Sequence, residues 1–270
     1  MKKVALVTGA SSGIGKETAK LLVQNGYTVY GAARRVEKMA DLKDVGVKLI
    51  TMDVTNEDAM VNGVNEILQN EDHIDLLVNN AGYGSFGALE DVPISEAKYQ
   101  FEVNIFGLAR LTQLVLPTMR KQHSGKIINI SSIGGKLGEP HGVWYHATKY
   151  AVEGLSDSLR MELKQFGIKV VIIEPGSIIT EWNSIARKNL LKVSGNSDYK
   201  TMVNKHANML AQADKYGSKP IVVARTIVRA ALANNPKTRY ATGGGAKIIL
   251  FFRRILSDKM FDRLFLRLLK

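Results

Sequence analysis

Tyr145 and Lys149, in the run Trp144-Tyr145-His146-Ala147-Thr148-Lys149, set a phenol and an ammonium four residues apart, a spacing that brings both to one face of a helix. A phenol gives up its proton only near pH ~10, but a cation within a few ångströms favours the phenolate and draws that value toward neutrality. Proton exchange with an alcohol or carbonyl oxygen then becomes feasible. Exposed helices carry such pairs by chance, so this one gains meaning from the motifs around it.

The first of these lies near the start of the chain. The apolar run Val4-Ala5-Leu6-Val7 suits a buried strand, and Gly9-Ala10-Ser11-Ser12-Gly13-Ile14-Gly15 follows it at once. Ala19, Leu22 and Val23 then recur at helical spacing until Asn25-Gly26 supplies a stop. In this strand, loop and helix, Gly9, Gly13 and Gly15 let the backbone turn tightly and approach a ligand, and the free N–H groups of the new helix suit a pyrophosphate. The spacing is G-x-x-x-G-x-G rather than the commoner G-x-G-x-x-G.

The alternation continues. Strands are expected over 28–33, 47–52, 74–78, 126–131 and 169–174, and helices over 56–69, 94–121 and 143–166. Strands separated by helices imply an α/β fold: one doubly wound parallel sheet with helices on both faces. The 270 residues, 45% apolar, fit a single domain over 1–270 with no internal repeat or linker. Ligands of such sheets collect beyond the carboxyl ends of the strands, where these motifs fall. Lys2-Lys3 imitate the front of a secretory signal, but the apolar run after them is too short, so the chain reads as cytoplasmic. The absence of cysteine agrees, since it excludes disulfides and thiolate chemistry.

With Thr8 to Gly15, Asn79-Asn80-Ala81-Gly82, Asn104, Ser132, Tyr145, Lys149 and Pro175-Gly176 in this order, the sequence resembles the short-chain dehydrogenase/reductase family over roughly residues 3–180. The resemblance implies a Rossmann-type fold, a nicotinamide cofactor and a homodimer or homotetramer. It also implies roles for single residues: Tyr145 as acid/base, Lys149 as the group that lowers its pKa and binds the nicotinamide ribose, Ser132 as the holder of the substrate oxygen, and Asn104 as the holder of a water beside Lys149. Ser131 and Ser132 are adjacent at a strand end, so only one can face the nicotinamide; the thirteen-residue interval to Tyr145 favours Ser132, leaving Ser131 to bond locally to the backbone. His141 and His146 lack a partner at catalytic spacing and read as structural.

A carboxylate about twenty residues beyond the glycines would hold the ribose 2′-hydroxyl of NAD. Ala33 stands there instead, followed by Arg34 and Arg35, whose guanidinium groups suit a 2′-phosphate; NADP is therefore the expected cofactor, unless both arginines are merely solvated loop charges. Asp53, followed by Val54, resembles the family's adenine-contacting aspartate, the lesser alternative being a neighbour of a helix N-cap. By the same resemblance, Asn80, Ala81 and Gly82 pack beside the adenosine ribose, and Pro175, Gly176, Ile178 and Thr180 meet the nicotinamide carboxamide.

Residues 181–218 are polar and irregular in pattern, with Trp182, Ile185, Leu190, Leu191, Met202 and Met209 at partly helical spacing. In the family this segment covers the substrate, and the run over 150–163 is similar to the steroid and retinol dehydrogenase branches, which implies an apolar alcohol, ketone or aldehyde. Much of the formal charge of +12 is terminal, since residues 236–270 hold nine Lys or Arg against two Asp. Residues 246–270 read as a basic amphipathic helix, broken near Ser257-Asp258, with Phe252, Leu256, Met260, Leu264 and Leu268 along one stripe. That tail could pack on its own domain or a neighbouring subunit, or lie peripherally on an anionic membrane. No recognition motif or aromatic-basic platform supports nucleic-acid binding. The competing function is a non-catalytic NADP(H)-sensing regulator, which would have no need of Ser132, Tyr145 and Lys149 together.

Overall fold

The run Val4–Thr8 forms β1 and is buried at every position, because Val4 and Leu6 point to one face of the sheet and Ala5 and Val7 to the other. The chain then alternates as its pattern predicts: α1 (Gly13–Gln24), β2 (Thr28–Ala33), the short α2 (Ala40–Asp44), β3 (Val47–Thr51), α3 (Glu57–Glu71) and β4 (Leu76–Asn79). It continues through α4 (Ile94–Phe101), α5 (Gly107–Lys121), β5 (Gly125–Ile130), α6 (Val143–Leu163) and β6 (Ile168–Pro175). The final elements are α7 (Glu181–Ser194), α8 (Lys200–Tyr216), α9 (Pro220–Leu232), β7 (Arg239–Thr242), α10 (Ala246–Ile255) and α11 (Asp258–Leu268). The computed structural model of the chain describes residues 2–269, apart from the side chains of Ala213 and Asp214; Met1 and the tail's Lys270 lie outside the described residues.

The seven strands among the described residues are all parallel, in the order β3-β2-β1-β4-β5-β6-β7. Ala19 and Leu22 of α1 with Val223 and Ile227 of α9 cover one face; Val64 of α3 with Leu111 and Val115 of α5 cover the other. Each such buried Val, Leu or Ile contributes roughly 1.5–3 kcal/mol. The strand order reverses between β1 and β4, so the crevice at their carboxyl ends opens beside the glycine loop.

Three regions depart from the expected pattern. The helix predicted over 94–121 is interrupted by a π turn at Glu102–Phe106, which turns Asn104 into the interior. Gly107 follows it, where a Cβ would come within 2.3 Å of the Val54 carbonyl oxygen. The segment 181–218 is not irregular: it forms α7 and α8, because Ala186 and Leu190 face Val203, Ala207 and Leu210 in a separate core with Phe86 and Tyr145. The tail is two helices, as the Ser257 break predicts, but its expected apolar stripe is not packed on the domain; Phe252, Met260, Leu264 and Leu268 are exposed, whereas Phe261 and Leu269 turn inward.

Candidate active site

Gly9 and Gly13 adopt left-handed backbone angles, with φ of 66° and 54°, in the turn between β1 and α1. The turn is fastened from β4. Asn80 Nδ2 donates to the Thr8 and Gly9 carbonyl oxygens at 2.9 and 3.3 Å, and Thr8 Oγ1 accepts from the Asn80 and Ala81 N–H groups, both at 3.0 Å. Ser12 caps α1 without a side-chain bond, leaving first-turn N–H groups free for an anion. Gly15 sits behind the turn, where a Cβ would lie 2.4 Å from Gly9 O and 2.5 Å from Asn80 Nδ2. Gly15→Ala is therefore expected to force the turn open, weakening binding of a dinucleotide at least ~100-fold and costing about 1–3 kcal/mol of stability. Fluorescence titration with reduced nicotinamide dinucleotides and thermal unfolding would check this; an unchanged dinucleotide affinity would contradict it.

Ser132 follows β5 in extended conformation; its Oγ accepts from Gly134 N at 3.0 Å and hydrogen-bonds Tyr145, opposing the rise in that phenol's pKa. Ser131 also borders the cleft but is buried, and the local backbone bond expected for it is not formed: its Oγ has no hydrogen-bond partner among the described residues. Tyr145 and Lys149 do share one face of α6. The ring of Tyr145 packs between Phe86 and Trp182, with centroids 5.6 and 5.0 Å away. Lys149 Nζ lies 5.9 Å from the Tyr145 centroid and donates to Ile130 O at 2.9 Å.

The expected lowering of the phenol's pKa is not what this geometry produces. Burial pushes Tyr145 up to about 12, Ser132 acting against it, and burial brings Lys149 down to about 8. Desolvation is the largest cause, and the neighbouring Lys149 directs its ammonium at a carbonyl oxygen. The resting tyrosine is consequently protonated at neutral pH.

Asn104 closes the floor. Its Nδ2 donates to Tyr83 O at 2.9 Å and Thr148 Oγ1 at 3.0 Å, and its Oδ1 accepts from Tyr83 N at 3.1 Å, so the amide ties the segment after β4 to α6. Asn79 bonds Asn129 and Thr112 in the buried sheet, outside the cleft lining.

At the far end, Arg34 and Arg35 leave β2 on the rim; Arg34 Nη1 donates to Tyr99 Oη at 3.0 Å, and Arg35 lies 3.5 Å from Glu181. Asp53 Oδ1 accepts from both the N–H and the hydroxyl of Thr55, and Oδ2 stands 3.9 Å from Arg34. Thr180 reaches back toward the turn, its Cγ2 being 3.1 Å from where a Cβ on Gly13 would sit.

These groups line one cleft of about 590 Å³, large enough for a dinucleotide's reactive half and a substrate. Of the residues expected from sequence to bind the cofactor or do chemistry, all but Gly15 and Asn104 line it, and those two act from behind the wall. The sequence reading passed over Glu139, Leu137, Leu210 and Ile249, which also line it. Glu139 Oε1 lies 3.6 Å from His146 Nε2, and His146, which also lines the cleft, is otherwise held by the backbone of Gly134 and Glu139. His141 pairs with His206 at 3.1 Å, outside the cleft lining. A carboxylate at 139 had no sequence signal, since nothing local shows that the loop after β5 folds into the cleft.

The chain that builds this cleft is similar to known proteins over most of its length. The family model for short chain dehydrogenases matches residues 3–190. A 3-ketodihydrosphingosine reductase from Bacteroides thetaiotaomicron is 37% identical over 89% of this chain and 88% of that protein. An NADPH-dependent 3-dehydrocapnine reductase from Ornithobacterium rhinotracheale is 32% identical over 99% and 98%. The crystal structure of a short-chain dehydrogenase from Streptomyces avermitilis superposes with a TM-score of 0.83 at 35% identity, covering 97% of this chain and 94% of that one.

Proposed function

We propose that this chain, which belongs to the short-chain dehydrogenase/reductase family, is an NADP(H)-dependent oxidoreductase that interconverts a hydrophobic alcohol and its ketone or aldehyde. One observation carries the reading: Ser132, Tyr145 and Lys149 converge on the same cleft that the glycine turn and the paired arginines enter from its other end. The cofactor, when bound, supplies the hydride. The protein orients the substrate and delivers the proton. Ser132 holds the carbonyl oxygen as negative charge develops, and the protonated Tyr145 donates to it. Lys149 binds ribose hydroxyls and, with Asn104, holds the water that restores the tyrosine's proton. Arg34 and Arg35 take the 2′-phosphate, Asp53 and Val54 the adenine, Asn80 to Gly82 the ribose, and Pro175, Gly176, Ile178 and Thr180 the carboxamide. A phenol held at about 12 is protonated at neutral pH, the state that carbonyl reduction needs. A sensor without chemistry would gain nothing from it. The exposed Phe106, Tyr150 and Met161 on the α5–α6 side support a homodimer or homotetramer.

The test is a panel of hydrophobic ketones and aldehydes followed by NADPH absorbance, with Tyr145→Phe as control. No oxidation of NADPH by any of them would defeat the reading. Two relatives are named for reduction of 3-ketodihydrosphingosine and 3-dehydrocapnine, which directs the panel toward ketones on long chains. Glu139 refines it: a carboxylate beside Tyr145 complements a substrate ammonium near the carbonyl. Glu139→Gln should lower kcat/KM for an amine-bearing ketone about tenfold more than for its amine-free analogue. An equal change for both would remove the refinement.

A further inference from the structure

On α10, Ile248, Phe251, Phe252 and Ile255 recur every three or four residues and form one exposed stripe. On α11, Met260, Leu264 and Leu268 do the same; across both helices these side chains are between 42 and 69% exposed. Lys247, Arg254, Lys259, Arg263 and Arg267 flank the stripes. No helix among the described residues is long and apolar enough to cross a membrane. The same two helices border the cleft, since Ile249, Phe265 and Leu268 line it.

We propose that α10 and α11 seat the protein on an anionic lipid bilayer with the mouth of the cleft toward the acyl chains, so that an apolar substrate moves between bilayer and site without crossing water. Charge decides the occupant. Residues 236–270 carry a net charge of +7, which an anionic surface neutralises, whereas a second copy docked on the same face would oppose it with an identical basic rim. An apolar stripe bordered by Lys and Arg on a short helix is the pattern that lies in a headgroup interface. The proposed substrate class enters only in what travels through the cleft; docking itself is read without turnover.

The experiment sediments the full chain with vesicles of phosphatidylcholine plus phosphatidylglycerol, and with phosphatidylcholine alone, at low and high salt. Binding to the anionic vesicles that weakens with salt and falls at least tenfold in Phe251→Glu/Phe252→Glu is the expected result. Both positions are exposed and outside the cleft lining, so the variant should reduce a short, water-soluble ketone as the wild type does while losing activity on a long-chain ketone presented in vesicles. No binding at low salt, equal binding to neutral vesicles, or a dimer that the double substitution dissolves would each overturn the proposal. Failure to reduce any ketone, with vesicle binding intact, would instead count against the enzymatic reading alone.

Discussion

Tyr145→Phe should lower carbonyl reduction at least ~10³-fold while leaving NADPH affinity within about threefold, because it removes the proton donor and little else. The ring stays packed against Phe86 and Trp182, and the Tyr145 carbonyl still accepts from Thr148, so the helix and the floor keep their geometry. Stopped-flow reduction and a separate NADPH titration distinguish loss of chemistry from loss of binding. A variant that reduces ketones at a comparable rate would exclude the phenol as the acid. The pH dependence carries a second sign. A phenol held at about 12 is protonated across neutral pH, so reduction by the wild type should be insensitive to its ionisation there. Alcohol oxidation needs the phenolate and should rise with pH over the same range, a slope that Tyr145→Phe abolishes.

That prediction differs from what the sequence alone suggests, and the difference is physical. Four-residue spacing correctly places Tyr145 and Lys149 on one face, because helical geometry is local. The direction of the pKa shift is not local. It depends on Phe86 and Trp182 closing over the ring, and on Ile130 O engaging the ammonium that would otherwise stabilise the phenolate. The same division runs through the fold. The strands β1 to β6 were legible from apolar runs, since buried parallel strands need them. The π turn at Glu102–Phe106 was not, because it answers to the Tyr83 backbone and Thr148, far away in sequence. The helices α7 and α8 were hidden by polar outer faces; only their contact with Phe86 and Tyr145 reveals an inner one. Short β7 carried too little pattern to be seen, and Arg239 at its start is held by Glu153 and Asp157 of α6 rather than by apolar packing.

Replacing both rim arginines, Arg34→Ala/Arg35→Ala, is expected to raise the KM for NADPH about 10²-fold and to change that for NADH only a few-fold. Each charge-assisted contact to a phosphate contributes roughly 1.5–3 kcal/mol in favourable geometry, and the two side chains, 63 and 46% exposed, fall toward the lower end through solvent screening. Their tethers set how the loss divides. Arg34, hydrogen-bonded to Tyr99 and near Asp53, is held in place over the rim, whereas Arg35 is drawn toward Glu181 at the start of α7. Arg34→Ala should therefore account for most of the effect, and Arg35→Ala should also loosen the helix that covers the cleft, seen as a rise in the KM for the carbonyl substrate. High salt should weaken NADPH binding to the wild type and have little effect on the double variant, because the screened charges are then absent. Steady-state kinetics with both cofactors at two ionic strengths measures all of this. If the wild type prefers NADH, or the double variant loses both cofactors equally, the guanidinium groups are solvated surface charges and Ala33 is an incidental substitution for an acid.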